Sequence, residues 1–100
     1  MVYEIVWQPT AIRTYIRNIE YLEETWTKKE VDYFIGLVEK KLESISRIPQ
    51  LGTMTGRRKN VRKVVIHKRV ILFYRHKPLK GEIELLLFWN TYQNPGRLKF

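Results

Sequence analysis

The spacing of apolar residues changes near residue 60, and that change constrains the fold more than any other feature. Before it, Ile12, Tyr15, Ile16, Ile19 and Leu22 recur at the i, i+3, i+4, i+7, i+10 spacing of one helical face. Val31, Phe34, Ile35, Val38, Leu42 and Ile45 form a second such stripe. After it come three short β-rich runs, at residues 61–66, 69–75 and 83–89. Residues 3–7 alternate and predict a first strand. The order is therefore strand, helix, helix and a three-stranded meander. Two amphipathic helices need a surface to bury against, and one face of a small sheet supplies it. The first strand must join the meander, because its backbone groups have no other partners. The expectation is an α+β fold, β-α-α-β-β-β, with a helical hairpin on one face of a mainly antiparallel four-stranded sheet. One domain spans residues 1–100.

Punctuation supports these boundaries. Pro9 suits the first turn of a helix. Thr27 and Glu30 have capping-box spacing before the second stripe. Ile48-Pro49 ends that helix, because the residue before a proline avoids the α region. Gly36 costs a helix interior about 1 kcal/mol relative to Ala, and a close approach by the first helix would explain it. Residues 50–60 read as a loop. His67-Lys68 form a hairpin connection, and Pro78 and Gly81 mark the last turn. Residues 83–89 are apolar on both faces, so that strand should be central.

Charge is distributed unevenly. The net charge is +9, yet residues 1–55 and 82–100 are close to neutral. Residues 56–81 hold ten Lys/Arg and no acid. Such a block attracts a polyanion or an acidic protein. Its bland reading is a solvated face. The chain has no cysteine, which excludes disulfides, thiolate metal sites and a cysteine nucleophile. No apolar run approaches the ~20 residues of a membrane span, and the N-terminus lacks the pattern of a signal peptide. These features predict a cytoplasmic protein without a membrane partner.

Little else carries chemistry. Most carboxylates precede residue 56, on helix surfaces. His67 and His76 flank the predicted third strand, too few ligands in too positive a field for a metal. His67 as a general base is conceivable, and a plain turn residue is its simpler reading. Residues 52–56 lack the lysine of a phosphate loop. What remains is the basic block. Arg62 and Lys63 point to opposite faces of their strand, so one should reach the open face and the other a margin. Arg57, Arg58, Lys59, Arg62, Lys63 and Arg75 are the candidates for binding an acidic protein or a nucleic acid. No metal or other cofactor is implied.

Along about residues 2–98 the chain resembles the RelE/ParE toxin superfamily. The resemblance rests on the element order and on a helical hairpin closing near Ile48-Pro49-Gln50-Leu51-Gly52. It rests also on Val61-Arg62-Lys63 opening the meander, and on Val70-Ile71-Leu72-Phe73-Tyr74-Arg75. The ending Glu84-Leu85-Leu86-Leu87-Phe88-Trp89-Asn90-Thr91-Tyr92-Gln93-Asn94-Pro95 is similar to the last strand and tail of ParE-like and plasmid-stabilisation proteins. The resemblance implies the toxin of a bacterial type II toxin–antitoxin pair, neutralised by a cognate acidic antitoxin. Within the superfamily, ParE-type members poison DNA gyrase, and RelE-type members cut mRNA on the ribosome with basic residues and a tail tyrosine or histidine. A nuclease here would use Arg62, Lys63, His67, Arg75 and Tyr92. Val64 and Ile71 fall where nucleases carry cations, and Tyr92 falls where many relatives carry a tail arginine, so the resemblance leans to the ParE side. Whether the chain is an enzyme stays open at this point. A non-catalytic nucleic-acid-binding domain is the third reading.

Overall fold

The computed structural model describes residues 2–56, 58–67 and 69–91. The elements are β1 (Glu4–Trp7), α1 (Pro9–Thr25), α2 (Lys28–Arg47), β2 (Thr53–Met54), β3 (Val61–His67), β4 (Val70–Lys77) and β5 (Glu82–Asn90). Short 3₁₀ turns occupy Pro49–Leu51 and Pro78–Lys80. The strands form one sheet in the order β1-β5-β4-β3-β2. β1 runs parallel to β5, and the other neighbours are antiparallel. The α+β layering agrees with the sequence, and β5 is an inner strand as its two apolar faces predict.

The sheet has five strands, where four were expected. The extra one lies in the segment read as a loop: Thr53 pairs with Lys63, and Met54 with Arg62. Two residues are too few to show a period, so only pairing with the outer edge of β3 reveals this strand.

Both helices pack on one face of the sheet. Val31, Phe34, Val38 and Ile45 of α2 are buried there against Leu72, Tyr74, Ile83, Leu85 and Phe88. Thr27 caps α2, its hydroxyl accepting the Glu30 N–H at 3.4 Å. α1 is rotated relative to its predicted face. Ala11, Asn18 and Leu22 are buried, whereas Ile12 and Ile16 are 45% and 51% exposed. Gly36 departs from expectation as well. A Cβ there would meet nothing within 4 Å, so no close helix approach accounts for the glycine.

The rotation of α1 has a physical cause in the sheet. β1 pairs with β5 only from Glu82 to Leu85. Beyond Leu85, the β1 side of β5 has no strand neighbour among the described residues, and its backbone groups need other partners. Two polar side chains of α1 provide them. Phe88 N–H donates to the Thr14 hydroxyl at 3.0 Å, and Asn18 Nδ2 donates to the Phe88 carbonyl at 3.3 Å. Docking these polar groups turns Ile12 and Ile16 outward.

A bulge then sets the faces of β5. Phe73 pairs with Leu87 and Tyr74 with Leu85, which leaves Leu86 as the extra residue. Ile83, Leu85 and Phe88 thus all face the helices. Glu84, Leu87 and Trp89 fall on the opposite face, called the open face because neither helix lies on it. There Phe73, Leu87 and Trp89 form a second buried cluster with Ile71 and Leu86.

Candidate functional site

Residues directly opposite one another on neighbouring strands share a face, so the register assigns each candidate a side. Tyr74 faces the helices, and Arg62 pairs with it. Arg62 therefore lies on the helix side, out at β3, where the 3₁₀ turn at Pro49–Leu51 covers the sheet. Its Nη1 donates to the Gly52 carbonyl at 2.8 Å. Lys63 pairs with Phe73 and stands exposed on the open face. Arg62 is thus the marginal residue of the pair and Lys63 the open one.

Tyr74 fastens the same turn to the sheet. Its hydroxyl donates to the Pro49 carbonyl at 2.7 Å and accepts from the Gly52 N–H at 2.9 Å. Burial pushes the phenol above its ordinary value, partly offset by the Gly52 N–H and by Arg62. It stays neutral and fully engaged, and is no candidate for moving protons.

The histidines divide between two places. His67 ends β3 and meets Trp26 edge-on, with ring centroids 5.0 Å apart. It lies four residues from Lys63, roughly 13 Å along a strand. His76 was expected to flank its strand, and it lies inside β4. It faces the helix side, edge-on to Tyr3 at 4.9 Å. Burial and then the charge of Arg62 hold its imidazole below the usual histidine value. A neutral imidazole near an arginine is a combination that proton transfer can use. Here the free ring nitrogen, Nε2, is buried and has no partner among the described residues. Buried in this way, it is closed to a phosphodiester.

On the open face the sheet carries an ion cluster that sequence reading missed. Val6, Glu84, Arg75 and Val61 lie in one row across four strands. The Glu84 side chain is 12% exposed. Its Oε2 accepts from Gln8 Nε2 at 2.6 Å and from Lys77 Nζ at 3.1 Å. Its Oε1 lies 3.7 Å from Arg75 Nη1. The available signal was Glu82 and Glu84 alternating with Ile83 and Leu85, which puts a carboxylate inside a strand.

Arg58 and Lys59 are exposed in the loop between β2 and β3. With Asn60 and Arg75 they line a shallow cavity of about 440 Å³. The acid-free stretch is therefore divided. Arg58, Lys59, Lys63 and Arg75 belong to the loop and the open face, and Arg62 belongs to the helix side. Arg57 and Tyr92 lie outside the described residues. Of the nuclease set, Arg62, Lys63, His67 and Arg75 do not meet at one point.

The arrangement of strands and helices has a counterpart among solved structures. The chain superposes on one in the crystal structure of the toxin–antitoxin complex RelBE2 from Mycobacterium tuberculosis, with a TM-score of 0.63. The match covers 90% of this chain and 99% of that one, at 18% sequence identity.

The chain has the RelE-like fold. No protein-family model and no curated protein sequence matches it. Agreement in three dimensions thus rests on the layering and strand order, which many sequences can encode. On this RelE-like sheet the open face carries a satisfied carboxylate between two cations, bordered by an apolar cluster. The cluster itself is buried, so what the face offers is its exposed basic edge, Arg58, Lys59 and Lys63, which can attract an anion or an acidic protein segment. Its described residues bring no proton acceptor beside a free cation.

Proposed function

We propose that this chain is the toxin of a type II toxin–antitoxin pair, and that it acts by binding a protein target, with DNA gyrase the first candidate, rather than by cutting mRNA. The RelE-like fold supports the toxin reading. One observation carries the choice of mechanism: the cations and histidines that a metal-free nuclease would use are dispersed. Such an enzyme needs a cation at the developing phosphorane charge and a group to move the 2′-hydroxyl proton. Arg62 is bonded to Gly52 on the helix side, Arg75 lies on the other face of the sheet, and His67 lies against Trp26 at the hairpin end. Val64 packs on the helix-side core and Ile71 on the open-face cluster, so neither position supplies a charge. The partner that restrains such a toxin would be a cognate antitoxin with an acidic segment, matched to the basic stretch.

The test is induced expression in bacterial cells. It should arrest growth and leave plasmids less supercoiled, with no new mRNA 5′ ends by primer extension. Co-expression of an antitoxin encoded beside the toxin should restore growth. Ribosome-dependent cuts that vanish in Arg62→Ala would overturn the proposal and place the chain with the endoribonucleases.

A further inference from the structure

We infer that the cavity lined by Arg58, Lys59, Asn60 and Arg75 is an oxyanion site that takes one carboxylate side chain from an acidic protein segment. The inference deepens the proposed function. It rests on that reading for the identity of the partner, though not for the existence of the site.

Three observations converge on it. Among the described residues the lining is Arg58, Lys59, Asn60 and Arg75, whose side chains all donate hydrogen bonds. Arg75 Nε is buried and has no acceptor among the described residues. A buried donor left unmatched is uncommon and marks a place where an acceptor belongs. Finally, Arg75 is poised rather than spent. Its contact with Glu84, 3.7 Å from Nη1 to Oε1, is longer than a hydrogen bond. A small rotation of the guanidinium would bring Nε–H and an Nη–H to the cavity as a fork for one carboxylate. Glu84 would not be stranded by that rotation, because Lys77 and Gln8 still hold its Oε2 at 3.1 and 2.6 Å.

The rim is preorganised by the backbone. Asn60 sits in the left-handed region at φ 62°. Its carbonyl accepts from the His76 N–H at 3.1 Å, and the Thr55 N–H donates to the Val61 carbonyl at 3.1 Å. These bonds tie both ends of the basic loop to the sheet and fix where Arg58 and Lys59 leave it. A preordered site loses less entropy on binding.

The lining favours a peptide carboxylate over RNA. Single-stranded nucleic acid is held by a groove of cations that tracks the backbone, with aromatic rings stacking the bases. Among the described residues no aromatic side chain lines this cavity. One carboxylate fits that arrangement.

The experiment uses the full chain labelled with ¹⁵N-arginine and ¹⁵N-asparagine, titrated with hexaglutamate and, separately, with hexauridylate at equal ionic strength. Hexaglutamate should move the Arg75 Nε–H and Asn60 carboxamide resonances together and saturably. Replacing both Arg58 and Lys59 with Ala should weaken its binding about 10-fold. Replacing Lys29 and Lys40 with Ala removes equal charge from the exposed face of α2 and should change the affinity less than about 2-fold. An Arg75 Nε–H unmoved by hexaglutamate would overturn the inference, as would equal weakening in both double variants. Tighter binding of hexauridylate, with the same resonances moving, would make this a phosphate site and also overturn it. Failure of the toxin reading would show separately, as unimpaired growth on expression while hexaglutamate still binds.

Discussion

Replacing Tyr74 with Phe tests how the turn at Pro49–Leu51 is held to the sheet. Tyr74 is fully buried, and Phe keeps its ring while removing one oxygen. That oxygen serves two backbone groups at once, the Pro49 carbonyl and the Gly52 N–H. Stranding a buried polar group costs about 1–3 kcal/mol. The space left by one oxygen is smaller than a water requires, so solvent should not replace it. The loss should be about 2–4 kcal/mol, a large part of the roughly 5–15 kcal/mol that stabilises a domain. At about 4–8 °C per kcal/mol for a chain of this length, Tm should fall by roughly 8–32 °C. Urea unfolding followed by circular dichroism should show a lower midpoint with an unchanged slope. A loss below about 1 kcal/mol would refute the reasoning, because both groups would then have found other partners. Gly52→Ala provides a second arm. Its Cβ would lie 2.6 Å from Tyr74 Oη, 2.8 Å from the Lys63 carbonyl oxygen and 2.9 Å from Tyr74 Cε1. Overpacking of this kind costs about 1–3 kcal/mol. Tyr74→Phe removes the shortest of those contacts, so the double variant should be more stable than the sum of the single losses predicts. Additivity within about 0.5 kcal/mol would show that hydroxyl and glycine do not share one site.

Three further outcomes follow from particular contacts. Gly36→Ala should stabilise the chain by about 0.5–1 kcal/mol, because the methyl meets open space and the helix gains propensity; any destabilisation in thermal unfolding would reveal a contact there. Thr14→Val keeps the shape but strands the Phe88 N–H, and should cost about 1–3 kcal/mol; protection of the Phe88 amide from hydrogen exchange should fall with it, and a neutral result would mean that Thr14 does not close that edge. His76 has its imidazole held below the usual value, by burial first and then by Arg62, so the unfolded chain binds more protons than the fold as pH drops through about 6.5. Stability should therefore be full above that window and lost below it, and His76→Gln should flatten the denaturation midpoint between about pH 7 and pH 5; an unchanged pH profile in the variant would refute the assignment.

The layers were legible in the sequence because each depends on a repeated pattern. Six apolar residues at helical spacing identify α2, and four of them, Val31, Phe34, Val38 and Ile45, are buried. The ends were legible through Pro9 and Ile48-Pro49, where proline geometry leaves few alternatives. α1 was harder. Its stripe included Ile12 and Ile16 and omitted Ala11, Thr14 and Asn18. Apolar spacing cannot show that an inward-facing asparagine will find the Phe88 carbonyl, since that partner lies 70 positions away. The same limit hid β2, whose two residues exist as a strand only through Lys63 and Arg62.

The basic stretch shows why composition did not translate directly into a site. Ten cations without an acid suggested one electropositive surface. A β-strand instead sends consecutive side chains to opposite faces, so Arg62 and Lys63 part company at once. Arg62 then serves the turn beneath it, where its charge also acts on Tyr74 and His76. Arg75 stays on the open face, where the structure adds what the sequence count left out. The acid-free stretch ends at residue 81, and the next strand returns Glu84 directly beside Arg75. Arg75 thus lies beside a carboxylate from outside the block. Counting charges along the chain places that carboxylate nine residues away, and pairing of β4 with β5 places it in the same row. The working basic surface is consequently smaller than the stretch that encodes it. Among the described residues it comprises Arg58 and Lys59 of the loop, exposed Lys63, and Arg75 where it lines the cavity beside them.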